Sequence, residues 1–161
     1  MVPLTESAIR ASFVNCTKGE AKRLAVPPDL IDRPWTDLDF FGWRDLSGAD
    51  RAYLVADPGT GPVGVALRVA TGSGRARRSM CSLCLTTHTG DGVALMTARK
   101  AGPAGRQGDS VGLYLCVDLA CSLYLRRRKD AGRHLDETIT LAEKIERTTT
   151  NLTGFLGRVL G

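Results

Sequence analysis

The sequence predicts a fold of the α+β class, in which an antiparallel sheet is flanked by helices. Three observations support this prediction. Short runs of aliphatic and β-branched residues, separated by glycine and proline, occupy the middle of the chain. Amphipathic stretches with a helical period lie before and after them. Four of the five cysteines stand in two close pairs within the strand-rich part, and 43% hydrophobic residues in 161 suffice for a core without disulfides.

The N-terminal part of the chain predicts two short helices. Residues 5–15 have the period of an amphipathic helix, with Thr5 and Ser7 as possible N-caps. A second, short helical turn is predicted over residues 18–24, and it must end before Pro27 because proline cannot continue a helix.

Residues 29–50 are rich in aromatic side chains and lack a clean period. They include Trp35, Phe40, Phe41 and Trp43. We expect these rings to pack as a plug against the sheet. An exposed aromatic patch for binding is the alternative.

Two strand pairs follow. Residues 52–57 and 63–70 flank a Pro-Gly turn and predict a hairpin. Residues 93–98 and 111–116 predict a second antiparallel pair, and the glycine-rich residues 102–108 between them predict a mobile loop.

The C-terminal part predicts two helical regions. Residues 119–129 fit a helix with Asp118 as its N-cap, and its basic end suits the helix dipole. Residues 136–159 also read as helix, although the Thr-rich middle and Gly154 leave open whether there are one or two. Its apolar stripe comprises Leu135, Ile139, Ala142, Ile145, Thr149, Leu152, Phe155, Leu156 and Val159.

Cys81, Cys84, Cys116 and Cys121 form a C-x2-C pair and a C-x4-C pair. Four thiolates suit a structural zinc ion, and a C-x2-C turn lets both of its sulfurs reach one ion. The second pair places one sulfur at a strand end and the other in the first turn of the next helix. The order of knuckle, hairpin and helix is that of a treble clef, so we expect Zn²⁺ on these four residues. A redox dithiol is the weaker alternative, because the first pair does not open a helix.

The remaining thiol and imidazole groups are expected to have structural roles. Cys16 stands alone and is interpreted as a small buried residue. His88 follows the first pair closely and could compete as a ligand, but a turn or surface position is the favoured interpretation. His134 is assigned to a helix boundary.

No catalytic constellation is evident, so the sequence favours a binding protein over an enzyme, with no small-molecule substrate. Four cysteine ligands leave no open position on zinc for an activated water. The glycine-rich segments lack the lysine and the helix that phosphate binding requires.

The positive charge is concentrated around the cysteines. Residues 75–133 carry eleven Lys and Arg against four Asp and Glu, whereas residues 1–74 carry eight against nine. This asymmetry predicts an anionic partner, with a merely solvated surface as the alternative. The candidate partner-binding residues are Arg99, Lys100, Arg106, Tyr114, Arg126, Arg127, Arg128 and Lys129.

The sequence contains no run long and apolar enough to span a membrane, and its start lacks the pattern of a signal peptide. We therefore expect a cytoplasmic protein with no membrane partner.

The segment Gly112-Leu-Tyr-Leu-Cys-Val-Asp-Leu-Ala-Cys121, together with the first cysteine pair, resembles the elongation factor G-binding proteins, the group that includes fusidic-acid-resistance proteins. Phe13-Val-Asn and Leu38-Asp-Phe-Phe-Gly-Trp-Arg-Asp45 are similar to its actinobacterial branch. The likeness covers residues 5–129 and is to the family's C-terminal treble-clef zinc finger. It implies the zinc role of the four cysteines, and elongation factor G on the ribosome as the partner. In resistant members it implies release of the drug-trapped factor.

The resemblance suggests a division of the chain. We expect a factor-binding domain over residues 1–133, with the zinc finger at about 79–130, and a helical tail over 134–161. The resistance proteins place a helical bundle before the zinc domain, and we expect none here. A basic zinc module that binds ribosomal RNA or another nucleic acid remains the alternative function.

Overall fold

The computed structural model describes residues 1–70, 80–132 and 137–161. Its centre is a five-stranded antiparallel sheet in which the strands follow one another in chain order, so the predicted α+β fold is confirmed. The strands are β1 (Phe41–Arg44), β2 (Arg51–Ala56), β3 (Val63–Val69), β4 (Val93–Arg99) and β5 (Ser110–Cys116). The helices are α1 (Glu6–Ala11), α2 (Lys18–Lys22), α3 (Gly102–Arg106), α4 (Cys121–Leu125) and α5 (Leu141–Leu160), with 3₁₀ turns at Leu30–Asp32 and Trp35–Asp37.

The sheet separates two hydrophobic clusters, because side chains along a strand alternate between its faces. On β2, Leu54 points into a cluster that contains the four paired cysteines and one side of α5. Its neighbours Tyr53 and Val55 point into a second cluster with Ile9 of α1. Both faces of β2 are therefore covered, which explains why five of its six residues are buried.

The two N-terminal helices form as predicted but are shorter. The Thr5 hydroxyl accepts a hydrogen bond from the Ala8 amide at 3.2 Å, which confirms Thr5 as the N-cap of α1. The helix ends at Ala11 rather than at residue 15, because the chain then turns to pair with the sheet through Phe13 and Gly64 of β3.

Asn15 fills a gap in the sheet. Strands β3 and β4 share only two residue pairs and then diverge. The Asn15 side chain accepts from the Ala66 amide at 2.8 Å and donates to the Ala66 carbonyl at 2.9 Å, as a strand would. It also donates to the Arg99 carbonyl of β4 at 3.0 Å. One amide side chain thus connects the two diverging strands.

The aromatic segment is buried, and part of it is a strand that was not predicted. Phe41 and Trp43 lie on β1, with their rings stacked at 4.9 Å between centroids. Trp35 and Phe40 are also buried, so the packed-plug prediction is confirmed and the exposed-patch alternative is wrong. The strand escaped prediction because aromatic residues on consecutive positions obscure the alternation.

Strand β1 meets the segment that follows β5, which curls the sheet. A side chain at Gly42 would lie 2.5 Å from Leu119 Cβ, so only glycine allows this approach. Arg44 also donates a hydrogen bond to the Val117 carbonyl at 3.3 Å. The sheet edge is thereby brought against the second cysteine pair.

Asp45, between β1 and β2, is a buried carboxylate with several donors. It accepts hydrogen bonds from the amide and hydroxyl of Ser47 and from the Tyr53 hydroxyl at 2.8 Å. Burial acts to raise the pKa of Asp45, but these hydrogen bonds and the nearby charge of Arg51 lower it below its ordinary value.

Two predictions on local structure are wrong. The expected mobile loop at 102–108 contains helix α3, where Gly105 packs so closely that a Cβ would lie 1.8 Å from the Lys100 carbonyl oxygen. The helix expected over residues 119–129 is the shorter α4, because Leu119 has a left-handed φ of 57° and cannot begin a right-handed helix. Ala120, not Asp118, is its N-cap.

Helix α5 is a single helix of 20 residues, begun by a capping box between Thr140 and Glu143. The residues on its buried face are Thr148, Leu152, Phe155, Leu156 and Val159. Thr148 therefore replaces the predicted Thr149, and Ala142 and Thr149 are exposed. Leu135 and His134 lie outside the described residues, as does the basic run at 75–78. Within the described part of the chain, no helix combines the length and the apolar character that crossing a membrane requires.

Candidate metal centre

The fold brings the two cysteine pairs together in a buried cluster. The four Sγ atoms all lie within 4.8 Å of one another, and each cysteine is at most 1% exposed. The Sγ atoms of Cys81 and Cys121 are 3.7 Å apart, as are those of Cys84 and Cys116. The spacing of the sequence motif thus translates into a single compact set of sulfur donors.

The first pair sits on a tight knuckle. The Leu85 amide donates to the Cys81 carbonyl at 3.0 Å, which closes a turn around the C-x2-C segment. The Leu83 amide points inward and donates to Cys81 Sγ at 3.4 Å. Leu85 leaves the turn with a left-handed φ of 56°. The knuckle is fastened to the hairpin by a 2.7 Å hydrogen bond from the Ser82 amide to the Tyr114 carbonyl.

The second pair is held by the turn between β5 and α4. Cys116 is the last residue of β5, and Cys121 is the first residue of α4. Between them, the Leu119 amide donates to the Cys116 carbonyl at 2.9 Å, and Asp118 accepts from the Ala120 amide at 3.1 Å. The carboxylate of Asp118 therefore shapes the loop that separates the two sulfurs.

The geometry of the cluster fits zinc. Four sulfurs at the usual Zn–S distance of about 2.3 Å form a tetrahedron with edges of about 3.8 Å. The two 3.7 Å separations match such edges. Thiolate ligands also suit zinc by their softness, and the buried set leaves no place for a water ligand.

The four thiols perturb one another strongly. Hydrogen bonds from Cys116, Cys121 and Cys84 hold the pKa of Cys81 well below its ordinary value. The pKa of Cys121 is raised well above its ordinary value by hydrogen bonds with Cys116 and the other two cysteines, and also by burial. Ionisation of one thiol therefore disfavours ionisation of the next. A bound divalent cation offsets this repulsion between the thiolates.

Helix α5 packs over the knuckle. The Asn151 side chain donates to the Leu83 carbonyl at 2.9 Å. Leu152 and Phe155 belong to the same buried cluster as the cysteines. The sequence indicated the apolar face of this helix but carried no sign that it would rest on the metal centre.

His88 is buried rather than at the surface, so the favoured interpretation of this residue is wrong. It is 5% exposed, and its Nε2 lies 3.1 Å from Cys116 Sγ. It lies outside the set of converging cysteines and contacts one member of it. The wrong interpretation followed from the turn-like residues around His88, which do not reveal that the turn folds inward.

The predicted partner-binding residues separate into two groups. Arg99, Lys100 and Arg106 lie at the far end of the β4–β5 hairpin, where Arg99 pairs with Ser110. The near end, where Val93 pairs with Cys116, carries the metal centre. Six residue steps at about 3.4 Å put the two ends about 20 Å apart. Tyr114 lies between them, opposite Leu95.

The second basic group follows α4, and most of it is paired within the chain. Arg126 forms a two-pronged ion pair with Asp39, with both N–O distances at 2.7 Å. Arg128 lies 3.5 Å from Asp37 and is largely exposed, and Lys129 pairs with Asp118. Arg126 therefore ties α4 to the segment before β1, a structural role that the sequence did not indicate.

A shallow groove of about 60 Å³ lies beside the knuckle. Its walls include Cys84 and Tyr124. Three cations, Arg127, Lys129 and Lys144, line it together with the carboxylate of Glu137, which lies 3.3 Å from Lys144. Cys16 lies elsewhere, half-buried against the second hydrophobic cluster, and burial raises the pKa of its thiol.

The sequence matches the profile of a family described as FBP C-terminal treble-clef zinc-finger over residues 8–159. No curated protein sequence matches the chain. Among solved structures, the fold is similar to that of the fusidic acid resistance protein FusC, with a TM-score of 0.54 and 15% identity. The alignment covers 88% of this chain and 54% of FusC, so the chain spans about half the length of that protein. The family profile and the four converging cysteines together identify zinc as the cofactor.

Proposed function

The chain belongs to the FBP C-terminal treble-clef zinc-finger family, and from this membership we infer that it is a non-catalytic protein that binds elongation factor G. The family match carries the inference because it covers 152 of the 161 residues and includes α5. The match therefore extends beyond residue 129, where the resemblance seen in the sequence motifs ends. The similarity of fold to a fusidic acid resistance protein supports the same conclusion. Release of the factor from the ribosome is the activity that this binding would serve.

In this proposal Cys81, Cys84, Cys116 and Cys121 hold zinc as a scaffold. Zinc when bound supplies structural stability, since four cysteine ligands saturate a tetrahedral ion. The four cysteines fix the knuckle, the hairpin and α4 around one point, and α5 packs over them. The metal therefore shapes a docking surface and does not take part in a reaction.

Two basic surfaces are the candidate docking sites. The zinc-end surface consists of Arg126, Arg127, Arg128 and Lys129. The hairpin-end surface consists of Arg99, Lys100, Arg106 and the neighbouring Tyr114. We favour the zinc-end surface, because the groove beside it offers a concave contact that includes the exposed side chain of Arg127.

A pull-down of purified elongation factor G by the zinc-loaded chain tests the proposal. Two double variants divide the surface: Arg127→Glu with Arg128→Glu at the zinc end, and Arg99→Glu with Arg106→Glu at the hairpin end. All four side chains are exposed, so charge reversal leaves the core intact. Binding that is lost with the first pair and kept with the second supports docking at the zinc end. Failure of the wild-type chain to bind at micromolar concentration contradicts the partner itself.

Ribosomal RNA is the second candidate partner, and the basic excess around the zinc centre favours it. Phosphate contacts give an affinity that falls steeply with salt. Buried aromatic rings offer little for base stacking, since Trp35, Phe40, Phe41 and Trp43 are all within the core. A filter-binding titration of ribosomal RNA with the zinc-loaded chain at two salt concentrations tests this candidate. Affinity that is indifferent to salt and to reversal of Arg127 and Arg128 eliminates this candidate.

A further inference from the structure

We propose that His88 is a positioning residue of the zinc site, which donates a hydrogen bond from Nε2–H to the zinc-bound thiolate of Cys116. The two atoms are 3.1 Å apart, and both residues are buried. A zinc-bound thiolate has lost its proton and can only accept a hydrogen bond. Nε2 of His88 must therefore carry the proton when the metal is bound.

This hydrogen bond would stabilise the negative charge of the zinc site. Zinc with four thiolates has a net charge of −2, and the four cysteines are almost completely buried. N–H groups that point at the sulfurs spread this charge and lower the cost of burying it. In the described part of the chain, the Leu83 amide serves Cys81 and the His88 ring serves Cys116. His88 thus supplies to the second cysteine pair what the knuckle backbone supplies to the first.

The fold fixes the imidazole from two sides. The His88 ring meets the ring of Tyr124 edge-on, with centroids 4.7 Å apart and an interplanar angle of 88°. The Tyr124 hydroxyl donates to Asp118 at 2.8 Å, and Asp118 shapes the turn that carries both cysteines. On the other side, a Cβ at Gly92 would lie 2.5 Å from His88 Cβ, so glycine is needed for the ring to fit. The ring therefore packs against Tyr124 of α4, whose hydroxyl is bonded to the loop between Cys116 and Cys121.

Two substitutions separate hydrogen bonding from packing. His88→Phe keeps a planar ring against Tyr124 but removes the donor, whereas His88→Gln gives up the ring and keeps an N–H donor. Loss of an outer-shell partner typically weakens metal binding about 10–100-fold. We expect a loss of this size in zinc affinity for His88→Phe, measured by competition with a chromophoric chelator, and a partial recovery for His88→Gln. Equal losses in the two variants, or none in His88→Phe, overturn the proposal.

A spectroscopic readout distinguishes the hydrogen bond from general stability. In the cobalt-substituted protein, removal of the donor raises the energy of the sulfur lone pairs. The sulfur-to-cobalt charge-transfer band of His88→Phe should therefore move to longer wavelength, and that of His88→Gln should stay near the wild-type position. An unshifted band in folded His88→Phe contradicts the proposal.

The wild-type protein provides a test that does not depend on any variant folding. With an NMR-active cadmium isotope in the site, a proton–cadmium correlation spectrum detects coupling across an N–H···S hydrogen bond. We expect a cross-peak to Hε2 of His88 beside those of the cysteine Hβ protons. A spectrum that contains the cysteine cross-peaks but not the His88 one overturns the proposal.

Discussion

Substitution of Leu152 by alanine tests whether α5 is part of the fold around the metal centre. Leu152 is 3% exposed and lies in the buried cluster that contains the four paired cysteines. Truncation of a buried leucine removes favourable burial and leaves a cavity, which together cost about 2–5 kcal/mol. Since a domain of this size is stable by only about 5–15 kcal/mol, the effect is large.

The same helix offers a matched control. Leu160 is 48% exposed, so Leu160→Ala makes the same chemical change where little burial is lost. We expect its effect to stay within about 0.5 kcal/mol, as for other surface substitutions.

Chemical denaturation of the zinc-loaded protein measures both variants. Helix content is followed by circular dichroism, and metal release by a chromophoric chelator. If α5 and the zinc centre form one cooperative unit, both signals move together to lower denaturant in Leu152→Ala. An early loss of helix in Leu152→Ala with metal release unchanged refutes this reasoning, because α5 then unfolds as an independent appendage.

Three further predictions concern other polar contacts. Asn15→Leu removes three hydrogen bonds between diverging strands. Two of these bonds are partly buried and one is exposed, so each should contribute about 0.5–1.5 kcal/mol to the free energy of unfolding, measured by thermal unfolding. Arg126→Met breaks the half-buried ion pair with Asp39 and should lower the free energy of unfolding by about 1.5–3 kcal/mol. Arg128→Met removes a largely exposed side chain and should change the free energy of unfolding little. Equal effects of the two substitutions contradict the structural role of Arg126. The pKa of Asp45 is lowered in the folded state, so its carboxylate stabilises the fold at pH values above the unfolded-state pKa of about 3.9. This stabilisation is lost as the pH falls through the pKa of Asp45 in the folded state. Denaturant melts at pH steps below 5 should show a smaller decline in Asp45→Asn than in the wild type.

The metal centre could be predicted from the sequence because its information is local. A C-x2-C pair fixes two sulfurs on one turn, and a C-x4-C pair at a strand end fixes two more. The hairpins and the N-cap Thr5 were predictable for the same reason, since turn residues and capping oxygens act on near neighbours.

The contacts that support the centre could not be predicted, because they join residues far apart in the chain. Asn151 reaches the Leu83 carbonyl across 68 positions, and His88 reaches Cys116 across 28. Strand β1 was missed because tertiary packing of Phe41 and Trp43, rather than a visible alternation, decides its conformation. The predicted basic set separates into two groups because Arg99, Lys100 and Arg106 lie at the far end of the β4–β5 hairpin, whereas Arg126 to Lys129 follow α4, beside the metal centre.

A calorimetric titration of elongation factor G with the zinc-loaded chain tests the central claim most directly. The zinc content of the sample is fixed at one ion per chain beforehand, and a chelator-stripped sample is titrated in parallel. We predict saturable one-to-one binding at micromolar concentration or tighter, which is lost on removal of zinc and restored when zinc is returned. Absence of binding by a folded chain that contains one zinc ion would contradict the account.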